Sequence, residues 1–168
     1  KSKRDKGKPF VLYLAHTMMH TIIDASERFR GKSKGGLYGD VVEEFDYETG
    51  RLLDVLDELK LRDNTLVIYT SDNGPWNQDR YTKRKKGHPV GSIFWGEAGP
   101  LRNGKGSPYE GGYRLPCIVR WPGKVPAERT SDAIFATIDF LPTFANLCGF
   151  DVPKDRRIDG IDQTKLLL

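Results

Sequence analysis

The stretch Thr65-Leu-Val-Ile-Tyr-Thr-Ser-Asp-Asn-Gly-Pro75 decides the fold expected for this chain. Its first six residues are apolar or β-branched almost without interruption, which is typical of a strand covered on both faces. The residues from Ser71 to Pro75 favour a turn and end the strand abruptly. We therefore expect a buried strand over residues 65–70, followed by a polar loop.

Two earlier segments extend this strand into a larger unit. Phe10-Val-Leu-Tyr-Leu-Ala15 is another apolar run of strand length, which starts just after Pro9. Between the two runs, apolar residues recur with a helical period from Leu37 to Lys60, and charged residues occupy the other face. The order strand, helix, strand predicts two parallel strands joined by a right-handed crossover. The predicted fold class is therefore α/β, with a mostly parallel or mixed sheet flanked by helices.

The later part of the chain predicts one more strand and one more helix. The segment from Leu115 to Trp121 has strand composition, and Pro116 places it at a strand start or on a sheet edge. A final helix is expected to begin near Asp139 and to end at Gly149. The residues from Asp151 onward are expected to form a polar loop.

Composition and charge limit the classes of protein to consider. The 168 residues are 38% hydrophobic and 11% aromatic, which indicates one globular domain, and no apolar run approaches the roughly 18 to 20 residues of a membrane span. The net charge is +4, with positive clusters at Lys1–Lys8 and Lys83–Lys86 that form solvated surface or attract a polyanion. No nucleic-acid-binding motif is present, so nucleic acid is not an expected partner. Cys117 and Cys148 lack metal-ligand spacing and are expected to be buried, small apolar residues.

Polar residues follow both strands of the predicted unit. Because the carboxyl ends of parallel strands share one edge of a sheet, His20 and the pair Asp72-Asn73 are expected in neighbouring loops. Asp72 and Asn73 offer adjacent hard oxygen donors of the kind that Ca2+ or Mg2+ takes, although Asp-Asn-Gly also serves as a simple turn. His20 is a weak candidate by itself, and His16 and His88 are weaker, since histidines are common in loops.

A glycine-rich segment runs from Gly99 to Arg114 and reads Gly-Pro-Leu-Arg-Asn-Gly-Lys-Gly-Ser-Pro-Tyr-Glu-Gly-Gly-Tyr-Arg. Lys105 stands between two glycines, so its ammonium group can extend from a tight turn to an anion. The segment differs by one residue from the sequence motif of a nucleotide-binding P-loop. That loop needs Ser or Thr directly after the lysine, where Gly106 stands, and it needs a helix that the residues 107–112 are not expected to open. A P-loop is therefore the disfavoured alternative.

Taken in order, four segments of the chain resemble the sulfatase family of the alkaline-phosphatase superfamily. They are Lys8 to His20, Thr65 to Pro75, Gly99 to Arg114 and Asp139-Phe-Leu-Pro-Thr143, and together they cover nearly the whole chain. The resemblance implies part of an alkaline-phosphatase-like three-layer fold. It also implies hydrolysis of a sulfate ester, which is an aryl, steroid or carbohydrate sulfate, in a periplasmic, secreted or lysosomal/ER compartment.

The resemblance also implies roles for single residues. Asp72 and Asn73 match two ligands of a divalent cation, most often Ca2+ in this family, with Mg2+ as the other option. Lys105 matches the lysine that contacts the sulfate, and His20 matches the histidine beside the leaving-group oxygen. A cation and a lysine suit the sulfuryl oxygens, and an imidazole suits protonation of the departing alkoxide.

Other parts of the family's site do not occur in this sequence. The family makes a formylglycine nucleophile from Cys or Ser in a Cys/Ser-x-Pro/Ala-x-Arg motif, which Cys117 does not match. We expect residues 1–8 to form a linker and residues 9–168 to be the later portion of a catalytic domain. Its N-terminal half would then supply the nucleophile and two further aspartates, and the chain alone would be inactive. The alternatives are a phosphoester or phosphonate hydrolase of the same superfamily and a non-catalytic anion-binding homologue.

Overall fold

The computed structural model describes residues 8–20, 22–76 and 96–168. The basic cluster Lys83–Lys86, His88 and most of the N-terminal basic cluster lie outside the described residues. The elements along the described chain are, in order, α1 (Gly36–Glu58), a 3-10 turn (Arg62–Asn64), β1 (Val67–Thr70), α2 (Glu110–Tyr113), β2 (Cys117–Arg120), a second 3-10 turn (Thr137–Asp139), α3 (Phe140–Cys148) and α4 (Thr164–Leu167). Within these ranges, none of the helices has the length and apolar character that crossing a membrane requires.

The helix α1 confirms the prediction from the apolar period between residues 37 and 60. It continues through Gly50 without a break. Val41 and Leu56 on its apolar face are buried, and Val41 packs with Ile23 and Ala25 from the preceding segment into a small core. Burial of this single face stabilises the helix, since helical propensity alone stabilises an isolated helix only marginally.

Asp40 is a buried carboxylate on α1, with 2% of its surface exposed. Three consecutive backbone N–H groups donate to it at 2.7, 3.0 and 2.7 Å, those of Gly31, Lys32 and Ser33. The hydrogen bonds from Ser33 and Gly31 contribute most to holding the pKa of Asp40 below its ordinary value. The carboxylate therefore satisfies three backbone donors that no regular element pairs, and it fixes the segment before the helix against α1.

The strands β1 and β2 form a two-stranded antiparallel sheet. Val67 pairs with Arg120, and the register continues to Thr70 opposite Cys117. The predicted strands over 65–70 and 115–121 are thus confirmed over residues 67–70 and 117–120. The predicted parallel pairing is wrong for this sheet, because β1 pairs with the later strand and not with residues 10–15.

The apolar run Phe10–Ala15, predicted to be a buried strand, lies outside regular structure. Val11 and Tyr13 expose 88% and 87% of their surface. The physical reason is that a buried strand needs a hydrogen-bonded neighbour and cover on both faces. In the described residues, β1 and β2 pair only with each other, so no sheet incorporates this run.

The helix α3 confirms the predicted final helix and its stop. Pro142 lies in its first turn, and Gly149 ends it in the left-handed region, with φ of 73°. The Phe150 N–H donates to the Ala145 carbonyl at 2.8 Å, which pairs one of the carbonyls left free at the helix end. Glycine tolerates this φ because it lacks a Cβ.

Two buried side chains fasten the chain end to α3. Asp139, 5% exposed, accepts hydrogen bonds from the Ile161 and Ala136 amides, both at 2.9 Å, and these bonds lower its pKa. Thr143 is fully buried, and its Oγ1 accepts the Gln163 N–H at 3.0 Å. The residues from Asp151 onward were predicted to form a loop. This prediction needs correction, because the one-turn helix α4 follows Gln163.

Three further predictions need correction. Cys117 and Cys148 are exposed and not buried, since the first half of β2 faces outward and Cys148 ends α3.

The residues 107–112 were not expected to open a helix, yet α2 begins at Glu110. It is only one turn long, since Arg114 leaves it in extended conformation.

Candidate active site

The loop that follows β1 presents the two candidate cation ligands. Asp72 is exposed, and Asn73 is half-buried. The Asn73 Nδ2 donates to the Asp72 Oδ1 at 2.7 Å, and the Ser71 Oγ donates to the Asn73 carbonyl at 3.2 Å. These local hydrogen bonds hold the two side chains side by side at the end of the strand.

The glycine-rich segment packs directly on this loop. The Lys105 N–H donates to the Pro75 carbonyl at 2.9 Å, and the Gly74 N–H donates to the Gly112 carbonyl at 2.8 Å. We call this paired region, residues 71–76 with 101–113, the loop junction. Two backbone hydrogen bonds thus hold the segment that carries Lys105 next to the loop that carries Asp72 and Asn73.

Glycines make the close approach in the loop junction possible. A Cβ added at Gly74 would lie 1.8 Å from the Gly111 carbonyl oxygen, and one at Gly111 would lie 2.0 Å from the Asn103 carbonyl oxygen. Real Cβ atoms essentially never come within 3.0 Å of such atoms. The glycines therefore serve backbone packing, and the loop does not have the form of a P-loop, whose helix would start directly after the lysine.

Lys105 is half-buried, and its Nζ lies 5.9 Å from the ring centroid of Trp76. This is near the outer limit of a cation–π interaction. Within the part of the chain that the structure describes, Lys105 forms no ion pair with a carboxylate.

Sequence reasoning missed three side chains of the loop junction. Trp76 lies under the Lys105 ammonium group, and Arg102 stacks its guanidinium Cζ 3.6 Å from the ring centroid of Tyr109. The only signal in the sequence was the presence of a second cation three residues before Lys105, with aromatic residues on both loops. That pattern does not specify which ring meets which cation.

His20 lies in a turn, where its N–H donates to the Thr17 carbonyl at 3.2 Å. The hydrogen bonds that build the loop junction do not involve it, so its approach to Asp72 and Lys105 stays a prediction. His16 has a packing role, since its ring lies 4.6 Å from that of Phe45 and its Nδ1 accepts the Met18 N–H at 3.1 Å. Phe45 in turn packs on Tyr69 of β1 at 5.4 Å, which links this segment to the sheet.

The donor set of the loop after β1 suits a hard divalent cation. Asp72 supplies a carboxylate and Asn73 an amide carbonyl, which are ligands of Ca2+ and Mg2+ in proteins. Two side chains supply fewer oxygen ligands than the six to eight that Ca2+ takes. Across residues 8–20, 22–76 and 96–168, no group of three or more His, Cys, Asp or Glu side chains is arranged to hold a metal ion. The pair fits as part of a cation site.

Comparison with known proteins gives a consistent relationship. A family model described as Sulfatase matches residues 2–150. The chain is 40% identical over 165 residues to human steryl-sulfatase and 37% identical over 168 residues to the N-acetylgalactosamine-6-sulfatase of the dog, Canis lupus familiaris. These alignments cover 98% and 100% of this chain but only 27% and 30% of the relatives, so the chain spans under a third of their length.

A solved structure agrees with this relationship. The crystal structure of Ps i-CgsB in complex with k-i-k-neocarrahexaose superposes with a TM-score of 0.77 at 31% identity. The superposition covers 96% of this chain and 34% of that chain, which shows that the two share an α/β fold over the matched region. The family model covers well over half of the chain. The chain therefore belongs to the sulfatase family.

Proposed function

We propose that the full-length protein containing this chain hydrolyses sulfate esters, and that residues 9–168 form the later portion of an alkaline-phosphatase-like three-layer catalytic domain. Membership of the sulfatase family supports sulfate ester hydrolysis. The substrate class includes aryl, steroid and carbohydrate sulfates. A steryl-sulfatase and an N-acetylgalactosamine-6-sulfatase match this chain at nearly equal identity, so we assign the shared sulfate chemistry to it.

Each candidate residue has a role that fits its chemistry. Asp72 and Asn73 contribute oxygen ligands to a divalent cation, with Ca2+ preferred and Mg2+ the alternative. When bound, that cation stabilises negative charge on the sulfate oxygens. Lys105 binds the same sulfate group, and His20 donates a proton to the departing alkoxide oxygen. The nucleophile, which the family forms as a formylglycine, and the remaining cation ligands come from the N-terminal half.

One observation carries the proposal. The hydrogen bonds between Lys105 and Pro75 and between Gly74 and Gly112 join the cation-ligand loop to the lysine loop. These contacts support the proposal, because they hold the backbone of Lys105 next to the loop that carries Asp72 and Asn73. This preorganisation is what stabilisation of a developing negative charge requires, because the groups then need no rearrangement during the reaction.

The test compares two lysines in the full-length protein. Replacement of Lys105 by alanine removes a positioned donor to the sulfate, so kcat for 4-nitrophenyl sulfate should fall about 10²–10³-fold. Lys124→Ala is the matched control, since Lys124 is exposed in the turn after β2, away from the loop junction. Steady-state kinetics and circular dichroism of both variants give activity and folding.

Near wild-type turnover by a folded Lys105→Ala protein would contradict the assignment of Lys105. A wild-type protein that cleaves 4-nitrophenyl phosphate faster than the sulfate would favour the phosphoester alternative, which the sulfatase relatives do not support. A wild-type protein that cleaves neither ester would favour the non-catalytic alternative.

A further inference from the structure

We propose that Arg102 is a second anion-binding residue of the candidate active site and that it selects sulfate esters carrying a further anionic group. The inference rests on the proposed function, because Lys105 is there assigned to the sulfate that is cleaved. It adds a substrate feature that the shared chemistry of the family does not specify.

Arg102 and Lys105 belong to one short, firmly held segment. Lys105 is the third residue after Arg102, so their Cα atoms lie at most about 11 Å apart. The Arg102 carbonyl accepts the Gly111 N–H at 3.0 Å, and the Lys105 N–H is bonded to Pro75. Both backbones are therefore held within the loop junction, so the two side chains start from positions of constant spacing.

The Arg102 side chain is held by an aromatic ring. Its Cζ lies 3.6 Å from the ring centroid of Tyr109, and Tyr109 is itself 39% exposed. The Tyr109 N–H donates to the Ser107 Oγ at 3.2 Å, which fixes the residue that carries the ring. Stacking occupies the face of the guanidinium and leaves the N–H donors at its edge, where a sulfate or carboxylate binds with two hydrogen bonds.

The charges around Arg102 indicate an anionic ligand. Several other arginines form ion pairs with carboxylates, as Arg30 does with Asp24 and Arg51 with Glu48. Among the described residues, neither Arg102 nor Lys105 has such a partner. Glu110, in the same loop junction, pairs with Arg114 at 3.0 Å. Arg102 and Lys105 thus place two positive charges on one segment, with no carboxylate partner in the described residues, and a doubly anionic ligand would neutralise both.

This arrangement specifies a chemical class of substrate. A sugar sulfate with a second sulfate or a carboxylate on the same or the adjacent ring offers two anions at short, fixed spacing. A monosulfated steroid or phenol offers one. We therefore infer that the substrate is a saccharide with at least two anionic groups.

Calorimetric binding to the full-length protein tests the inference without relying on turnover. The probes are N-acetylgalactosamine 6-sulfate and its 4,6-disulfate, which differ by one anionic group. The wild type should bind the disulfate about tenfold more tightly, as expected for one additional charge-assisted hydrogen-bonded pair. Arg102→Gln should remove this preference, and Arg102→Lys should restore part of it.

Arg114→Gln is the matched control, because it removes the same charge from an arginine that already pairs with Glu110. It should keep the tenfold preference. Tyr109→Leu, which leaves Arg102 in place but removes its ring, should reduce the preference severalfold, so a poorly folded Arg102→Gln protein does not leave the inference undecided.

Equal binding of the two probes by the wild type would overturn the inference, as would an equal loss of affinity for both probes in Arg102→Gln. A protein that keeps an Arg102-dependent preference but releases no sulfate from either probe would contradict the proposed hydrolysis and leave the second anion-binding residue supported.

Discussion

Replacement of Gly74 by alanine tests whether backbone contact in the loop junction, rather than any side chain, sets the geometry of the site. The new Cβ would lie 1.8 Å from the Gly111 carbonyl oxygen, whereas real contacts stay beyond 3.0 Å. The two loops must therefore separate by at least about 1.2 Å, the difference between these distances. The 2.8 Å hydrogen bond from the Gly74 N–H to the Gly112 carbonyl would be lost in that movement.

Two consequences follow from this separation. Overpacking of this size typically lowers the free energy of unfolding by about 1–3 kcal/mol. A misplacement of about 1 Å between reacting groups costs on the order of 10²-fold in rate, so kcat for 4-nitrophenyl sulfate should fall by about that factor in the full-length protein. Hydrogen exchange measured by mass spectrometry should become faster in residues 71–76 and 101–113, while exchange in α1 stays as in the wild type.

Gly50→Ala is the control for this prediction. A Cβ at Gly50 meets nothing within 4 Å, and the residue lies inside α1. Alanine there should raise the free energy of unfolding by about 0.5–1 kcal/mol and leave turnover unchanged. If Gly74→Ala were as stable and as active as the wild type, the close packing of the loop junction and its role in positioning Lys105 would both be refuted.

Two further predictions concern the buried polar groups that hold the fold. Thr143→Val keeps the side-chain shape but leaves the Gln163 N–H without its acceptor, so urea unfolding should show a loss of about 1–3 kcal/mol, while the exposed Thr137→Val should show almost none. A Thr143→Val protein as stable as the wild type would contradict the attachment of the chain end to α3. Hydrogen bonds lower the folded-state pKa of Asp40 and Asp139, so their contribution to stability is complete above the ordinary value of 3.8 and is lost as pH falls through the lowered pKa. Asp40→Asn and Asp139→Asn should flatten the acid side of the stability profile measured by chemical denaturation, and a profile as steep as that of the wild type would refute this linkage.

The helices α1 and α3 were predictable from sequence because their signals are local. The period of apolar residues gave α1, and a glycine at 149 gave the end of α3, since each depends on residues within a turn or two of one another. The strands β1 and β2 were found for the same reason. Their pairing was not, because an apolar run shows that a strand needs cover but does not show which segment supplies it.

The residues of the candidate site were proposed from the sequence, but the packing of the loops that carry them was not. Topology suggested that the loop of Asp72 would meet the loop after residues 10–15, yet the described contacts of Gly74 and Pro75 join it to the glycine-rich segment. The close approach of Gly74 to Gly111 cannot be derived from a period or a propensity, because it depends on two backbones distant in the chain. Burial of Asp40 was likewise invisible, since an aspartate in an amphipathic pattern is expected on the solvent face.

The three hydrogen bonds from the backbone of residues 31–33 to the Asp40 carboxylate have a consequence for proteolysis. Four basic residues in or next to this exposed segment are potential trypsin sites, namely Arg28, Arg30, Lys32 and Lys34. A protease must draw the backbone into its own active site, and the amides of residues 31–33 are bound to one buried carboxylate of α1. Cleavage there therefore requires this segment to detach from α1. The cleavage rate then measures how often the hydrogen bonds to Asp40 break while the sheet stays intact.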